Sequence, residues 1–336
     1  MRRRCSFKSW AAAICHYGLG LALVLAAGCA SAVPPPPPSQ ATGAAAKFHE
    51  GQIVETSGGH SVSPDQLFVA LQGQDVVYLG EEHHNRFHID SALLVLERLV
   101  AAGRHPVLAM EMFGWDNQPA LDRYVSSEDL TREEFLNQIH WPQSWGGPFE
   151  DYEPLVRFAK EHRLRLVALN PPKAVVRAVA TRGLDQARRG AEMTRWGLED
   201  ETIVDDPAYR EKILQQLRAC HDGGSEAMYR TMYEASMVRD EGMAKVIAAE
   251  LQRIGASGDP SAGPVVSYTG GGHVQFHLPV PKRVARRIGA VRQATIYMTS
   301  YAPDRMDDIQ SMISERIADY LWLTSVSAHG LPRRCR

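Results

Sequence analysis

Two carboxylates and two imidazoles stand side by side in this chain, in the run Glu81-Glu82-His83-His84. They follow the β-branched and aromatic residues Val76–Leu79 and a glycine, a pattern that predicts a buried strand. Polar groups just past a strand end are where open α/β sheets place their chemistry. This cluster could bind a divalent metal, act as general acid and base, or hold a polar ligand.

Three further predicted strands end in polar residues. Val107–Met110 precedes Glu111, Leu166–Leu169 precedes Asn170, and Val265–Tyr268 precedes Gly270-Gly271-Gly272-His273. Helices separate the strands, so right-handed crossovers and a largely parallel sheet are expected. All carboxyl ends then lie along one edge. We therefore predict Glu81 and His83 as the working members of the first cluster, with Glu82 and His84 as bystanders.

A helical stripe adds a second pattern, formed by Tyr229, Tyr233, Ser236, Asp240 and Met243. Spacings of four and three place these residues on one helix face. Such a stripe is usually core packing, but an aspartate on it is buried only if it is paired. If the helix packs beneath the sheet edge, Asp240 joins the acid–histidine cluster and Tyr229 and Tyr233 flank it.

Several common motifs are absent from the sequence. There is no His-Glu-x-x-His, no P-loop, no Gly-x-Ser-x-Gly elbow, and no Gly-x-Gly-x-x-Gly after the first strand. Cys-x-x-Cys-His is also missing, which excludes covalent c-type haem. The formal net charge of -2 gives no electrostatic case for binding nucleic acid.

Helices alternate with the predicted strands. They cover Ile89–Ala102, a helix opened by the capping box Thr131-Arg132-Glu133-Glu134, Pro154–Glu161, Asp206-Pro207 to Cys220, and Ser225 to Arg253. A fifth strand at Ala294–Met298 and a closing helix at Asp307–Leu323 complete the pattern. The sequence thus predicts a three-layer α/β fold with a largely parallel central sheet and helices on both faces. The domain spans residues 63–328, with 183–224 as a helical insertion and 329–336 as a basic tail.

The N-terminus is typical of a bacterial lipoprotein. Arg2, Arg3, Arg4 and Lys8 precede an apolar stretch around Leu19–Leu25, which runs into Leu25-Ala26-Ala27-Gly28-Cys29. This run resembles a lipobox, although a plain signal peptide with an incidental cysteine is the alternative. We predict residues 1–28 as a lipoprotein signal peptide and Cys29 as the lipidated residue.

The segment after Cys29 predicts a spacer and a location. Residues 29–62 are rich in Pro, Ala and Gly and include five consecutive prolines, which favour a stiff, extended linker. The residue after the cysteine is Ala30, which by resemblance to other lipoproteins favours the outer membrane over the inner one. The expected location is the bacterial cell envelope, with a lipid anchor and the domain facing the periplasm.

Taken together, these motifs resemble the ChaN family of haem-binding lipoproteins, in the superfamily that includes the TraB, Tiki and erythromycin esterase groups. The matching runs are Leu79-Gly80-Glu81-Glu82-His83, Glu111, Trp145, Tyr152-Glu153-Pro154-Leu155, Leu169-Asn170-Pro171-Pro172, Asp240-Glu241-Gly242-Met243-Ala244, Gly270-Gly271-Gly272-His273-Val274 and Val280-Pro281-Lys282-Arg283. They keep a consistent order over residues 65–300. Ser236 and Gly271 depart from the family's common glutamine and asparagine, and residues 183–224 match weakly.

The resemblance implies haem binding through a homodimer and a role in iron acquisition. The haem-binding set that we predict is Glu81, His83, Glu111, Asn170, Tyr233, Asp240 and His273. Tyr233 is the expected axial ligand, since a tyrosinate can bind ferric haem.

Two alternatives stay open. The wider superfamily implies a metal-dependent hydrolase, in which Glu81, His83, Glu111 and His273 bind Mn, Co or Zn or activate water, with Asp240 orienting them. The other alternative is an envelope interaction protein whose site has decayed. It is the weaker one, because unpaired acids and histidines at buried strand ends are costly without a ligand.

Overall fold

The computed structural model describes residues 48–126, 129–221 and 223–331. The predicted signal peptide, Cys29, the first part of the linker and residues 332–336 of the basic tail lie outside the described residues. In the part of the chain that is described, no helix combines the length and apolar character needed to cross a bilayer.

The helices begin and end close to their sequence signals. Thr131 accepts a hydrogen bond from the Glu134 amide in the predicted capping box, and Asp206 caps the helix that starts at Pro207. Within the described ranges the α-helices are α1 Pro64–Gln72, α2 Arg86–Ala101, α3 Gln118–Ser126, α4 Arg132–Gln138, α5 Trp141–Ser144, α6 Glu153–Glu161, α7 Lys173–Arg182, α8 Leu184–Arg188, α9 Ala191–Arg195, α10 Pro207–Cys220, α11 Glu226–Ser257, α12 Val280–Ile288 and α13 Met306–Ser314.

The strands form one eight-stranded sheet in the described part of the chain. They are β1 Ile53–Glu55, β2 His60–Val62, β3 Val76–Glu81, β4 His105–Gly114, β5 Leu166–Asn170, β6 Ala262–Gly270, β7 Gln293–Ser300 and β8 Tyr320–Thr324. Their order is β2-β1-β8-β7-β3-β6-β4-β5. The six strands from β8 to β5 are parallel, and β1 and β2 add an antiparallel edge. The largely parallel sheet is thereby confirmed.

Alternate residues of β3 enter different cores, as the twofold period of a strand requires. Val77 and Leu79 pack in the larger core, with α2 and α6. Val76 and Tyr78 pack on the opposite face, with α11 and α12. Helices therefore cover both faces of the sheet, and the three-layer architecture is confirmed.

The predicted linker overlaps the sheet. Residues 53–62, assigned to the linker by composition, contain β1 and β2 and the turn that joins them. Ile53 and Val54 are each 1% exposed, and β1 pairs along β8. Two adjacent apolar residues were too short a signal to separate a strand from the surrounding Ala, Gly and Ser.

The predicted closing helix Asp307–Leu323 is wrong in its second half. Helix α13 ends at Ser314, Arg316 has a left-handed φ of 52°, and Tyr320–Thr324 forms β8 alongside β7. A short apolar run fits a buried strand and a buried helix equally well by periodicity. Pairing with β7 decides in favour of the strand.

Candidate functional site

Glu81 ends β3 in a pocket of hydroxyl and imidazole donors. It is 4% exposed, and its two oxygens accept hydrogen bonds from Tyr152 at 3.1 Å and Tyr268 at 2.7 Å. The Nδ1 of His83 lies 2.7 Å from Oε1. Burial raises the pKa of the Glu81 carboxyl above its ordinary value, and hydrogen bonds from His83 and the tyrosines offset this only in part.

His83 presents its ring to solvent from the turn after β3. Its side chain is 45% exposed, and the Trp145 ring meets it edge-on with the centroids 5.0 Å apart. No described residue hydrogen-bonds to its Nε2. Burial lowers the pKa of His83, but the Glu81 hydrogen bond and the Glu111 charge outweigh this and raise it overall.

Gly270 makes room for the His83 ring. A Cβ at position 270 would lie 2.8 Å from the His83 Cε1 and 3.0 Å from Nε2, closer than side chains tolerate. The glycine that ends β6 is therefore needed for close packing between two strand ends, not only for a flexible turn.

Glu111 lies inside β4, not beyond its end as the sequence suggested. The strand continues to Gly114, with a shift of register against β5 after Met110. Glu111 accepts a hydrogen bond from the Gly270 amide at 2.7 Å, and it pairs with Arg239 and with the His273 Nε2 at 3.2 Å. Burial favours the neutral acid, but the His273 and Arg239 charges prevail and hold the pKa of Glu111 well below its usual range.

His273 bridges two acids from the turn that follows β6. Its Nε2 faces Glu111, and its Nδ1 lies 2.5 Å from Asp240 on α11. Tyr209 of α10 donates a hydrogen bond to the other Asp240 oxygen. Burial lowers the pKa of His273, but the neighbouring Glu111 and Asp240 carboxylates raise it to about 9.

The structure thus brings Glu81, His83, Glu111, Asp240 and His273 together at the carboxyl edge of the sheet. Asn170 reaches them through Arg239, whose Nε donates to its side-chain oxygen at 3.3 Å. Sequence reasoning missed Arg239, although two buried acids on neighbouring elements call for a buried cation. It also missed the hydroxyls of Tyr152, Tyr209 and Tyr268.

Tyr233 is not brought to this cluster. Its hydroxyl donates to Asp205 at 2.6 Å, and its ring packs 5.7 Å from that of Tyr209, on the far side of Asp240. Burial and then Asp205 raise the pKa of Tyr233, which disfavours the tyrosinate that iron would require. The Tyr229 hydroxyl donates to the His221 carbonyl and not to a member of the cluster.

Glu82 and His84 hold the loop in place. Glu82 accepts hydrogen bonds from Thr299 at 2.6 Å and from the Ser300 amide at 3.0 Å. His84 has a left-handed φ of 62°, and its Nδ1 lies 2.7 Å from Asp151. Both side chains connect the loop to neighbouring elements.

The proposed metal set is not supported by this geometry. Across residues 48–126, 129–221 and 223–331, no group of three or more His, Cys, Asp or Glu side chains could hold a metal ion. The expected ligands Glu81, His83, Glu111 and His273 are instead divided into pairs. Glu111 is neutralised by Arg239 and His273, and Glu81 is surrounded by tyrosine hydroxyls.

A cavity of about 280 Å³ opens beside Glu111. Its walls include Trp145, Asn170, Lys173 and Arg239. Trp145, which meets the His83 ring edge-on, also forms part of the wall of this cavity.

Comparisons with known proteins cover the part of the chain that contains these residues. The family model described as haem-binding uptake, Tiki superfamily, ChaN, matches residues 67–284. A solved structure of cofacial heme binding to ChaN of Campylobacter jejuni is 15% identical, with a TM-score of 0.61, covering 80% of this chain and 95% of that one. That likeness shows the shared fold.

Two other proteins match parts of this chain. Protein RETICULATA-RELATED 5, chloroplastic, of Arabidopsis thaliana is 24% identical over 294 residues, which cover 80% of this chain. The chain spans 36% of that relative's length. A solved erythromycin esterase mutant in its open conformation is 16% identical over 70% of this chain and 72% of that one, with a TM-score of 0.39, too low to show a common fold.

Proposed function

Because the chain belongs to the ChaN family of haem-binding proteins in the Tiki superfamily, we propose that it binds haem at the carboxyl edge of its sheet. The observation that carries the proposal is His83. This imidazole is 45% exposed, is held through Nδ1 by the buried Glu81, and has an Nε2 without a partner among the described residues.

The residues at this edge suit haem chemically. Bound haem would supply an iron that an imidazole nitrogen can ligate, and a carboxylate on the other ring nitrogen would fix the tautomer and increase the basicity of that ligand. Glu81 occupies that second position. Trp145 stands perpendicular to the His83 ring, and so it offers an apolar edge to a flat ligand.

Tyr233, which the helical stripe predicts as the axial ligand, serves as the comparison. Its hydroxyl is held by Asp205 and its raised pKa keeps it protonated. His83 is therefore the side chain we assign to contact the haem.

The test is a hemin titration of the full-length chain in detergent, followed in the Soret band. Wild type is expected to give a saturable shift, and His83→Ala should weaken binding and alter the spectrum, with Tyr233→Phe as the matched variant. No saturable shift in wild type overturns the proposal. If Tyr233→Phe alters the spectrum and His83→Ala does not, the residue that contacts the haem is Tyr233 and not His83.

We also propose that the protein is a lipoprotein of the bacterial envelope, anchored through Cys29 in the outer membrane, and that it serves iron acquisition as a homodimer. The support is the lipobox-like run before Cys29, the proline-rich segment after it and the family. Labelled palmitate should be incorporated into wild type and not into Cys29→Ser. Labelling of both proteins would contradict the lipid assignment, and a monomeric mass in the presence of hemin would contradict the dimer.

A second candidate function is hydrolysis by general acid–base catalysis. It is favoured by the Glu81–His83 pair, in which a buried carboxylate orients an accessible imidazole. This mechanism does not require a metal ion bound by Glu81, His83, Glu111 and His273. Ester and peptide panels would show turnover abolished by His83→Ala, and a panel without turnover would remove this candidate.

A further inference from the structure

A fully buried histidine anchors the turn that carries His83. His88 belongs to the first turn of α2 and is 0% exposed. Its Nδ1 lies 2.9 Å from the amide nitrogen of Glu82, and its Nε2 lies 3.2 Å from the side-chain nitrogen of Asn85. The ring therefore connects both ends of the turn 82–85 to the helix.

The contact with Glu82 fixes the protonation state of this ring. A backbone amide donates and does not accept, so the His88 Nδ1 must offer a lone pair. The Asn85 side-chain nitrogen is also a donor, because its Oδ1 accepts the Phe87 amide at 2.9 Å and caps α2. A neutral ring has one lone pair for these two donors, whereas an imidazolium has none and would place N–H groups against both. The closed turn therefore requires a neutral His88.

The surroundings of the ring also oppose its protonation. The positive end of the α2 dipole lies at this turn. Glu82 faces the ring, but its carboxylate is already bound by Thr299 and Ser300 and pairs with Arg305 at 3.6 Å. Burial lowers the pKa of His88 to about 4, and the Glu82 charge offsets this only in part.

Opening of the turn would release this constraint. An imidazole in solvent has its ordinary pKa of 6.5, so an opened turn takes up a proton below that pH, while the closed turn does not until about pH 4. The stability that neutral His88 gives to the closed turn is complete above pH 6.5 and is lost as the pH falls to 4.

We propose that His88 is an acid-sensitive anchor, through which mild acid opens residues 82–88 and displaces the His83 imidazole from the edge of the sheet. The opening depends only on the contacts of His88 and needs no ligand. Its use to release a ligand from His83 rests on the proposed function.

The experiment is amide hydrogen exchange of the ligand-free, full-length chain in detergent at pH 7.5 and pH 5, corrected for the intrinsic pH dependence of exchange. His88→Asn is the test variant, since an asparagine Oδ1 can accept the Glu82 amide in place of Nδ1 and does not titrate. Between the two pH values, protection of residues 82–88 should fall roughly thirtyfold more in wild type than in His88→Asn. Peptides from β4 and β6 should keep their protection in both proteins.

His162→Asn is the matched control. His162 is exposed directly after α6, and its replacement should leave the wild-type fall in protection unchanged. A fall that is no larger in wild type than in His88→Asn overturns the inference. An equal loss of protection in β4 and β6 would mean that acid unfolds the domain, and it also overturns an opening confined to this turn.

If His88→Asn does not fold, nitrogen NMR of wild type labelled at histidine decides. One imidazole should remain neutral at pH 5 with its proton on Nε2, and a spectrum without such a ring overturns the inference. Failure of hemin to bind at any pH would remove the proposed function and leave the opening of the turn untouched.

Discussion

Two buried glutamates lie on either side of β6, and their pKa values are shifted in opposite directions. Glu81 on β3 and Glu111 on β4 are 4% and 1% exposed, and burial raises the pKa of either one. The donors around Glu81 include two tyrosine hydroxyls, which do not overcome burial. Glu111 faces the charges of His273 and Arg239, which do.

This difference divides the site into two halves. The inner half, formed by Glu111, Arg239, Asp240 and His273, is a fixed set of compensated charges. The outer half, formed by Glu81, His83, Tyr152 and Tyr268, contains an exposed imidazole on a carboxylate that gains a proton easily. Pairs of groups with pKa values driven apart by their surroundings usually have different roles. The inner half therefore holds the structure together, and the outer half meets the ligand.

The largest expected effect is on stability in the inner half. Glu111→Gln leaves Arg239 and His273 without their shared counter-charge, and breaking a buried pair in this way costs about 3 kcal/mol or more. Glu81→Gln leaves the tyrosines an amide oxygen to bind and should cost about 1 kcal/mol. Urea unfolding of both variants measures the two losses. Equal losses of unfolding free energy in the two variants would contradict the division of the site into an inner and an outer half.

The next effect is a pH dependence from His273. Its folded pKa of about 9 lies above the ordinary 6.5, so the stability it contributes is complete below pH 6.5 and disappears as pH rises to 9. The unfolding free energy should fall by at most about 3 kcal/mol over this window. His273→Gln should flatten the fall, as measured by urea midpoints at several pH values. If His273→Gln shows the same pH dependence of the unfolding free energy as wild type, a group other than His273 causes the fall.

A smaller effect concerns ligand binding in the outer half. The pKa of His83 is raised overall, and its Nε2 would have to lose a proton before it could ligate an iron. Hemin affinity should therefore increase with pH, by about tenfold per pH unit where His83 is protonated. Glu81→Gln removes a group that raises this pKa and should move the increase to lower pH. Affinity that is independent of pH in wild type would argue against His83.

The smallest expected effect separates two glycines of one run. A Cβ at position 270 meets the His83 ring, whereas a Cβ at position 272 has nothing within 4 Å. Gly270→Ala should displace the imidazole and cost about 1 kcal/mol in hemin binding. Gly272→Ala is the control and should match wild type. Similar losses in both variants would show that chain flexibility, and not space for His83, is what matters.

Strand patterns predicted the sheet and the edge where the acids and histidines meet. Each of β3, β4, β5 and β6 is an apolar run between breaking residues, and parallel pairing then aligns the polar residues at or near their ends. The two buried acids called for a cation, but the sequence did not show which one, since a helical arginine such as Arg239 is normally exposed. Tyr233 shares a helix stripe with Asp240, yet α10 places Tyr209 between them. Only the packing of α10 decides which tyrosine reaches the aspartate.

The antiparallel edge of the sheet sets an order of events in folding. β1 is among the first described segments along the chain, and it pairs with β8, which is among the last. Closing so long a loop is slow, and β1 has no sheet neighbour except β2 until the segment through Thr324 is in place. A chain stopped before Tyr320 would retain the acid–histidine residues but expose β7 as an open edge, the kind of surface on which unfinished chains associate.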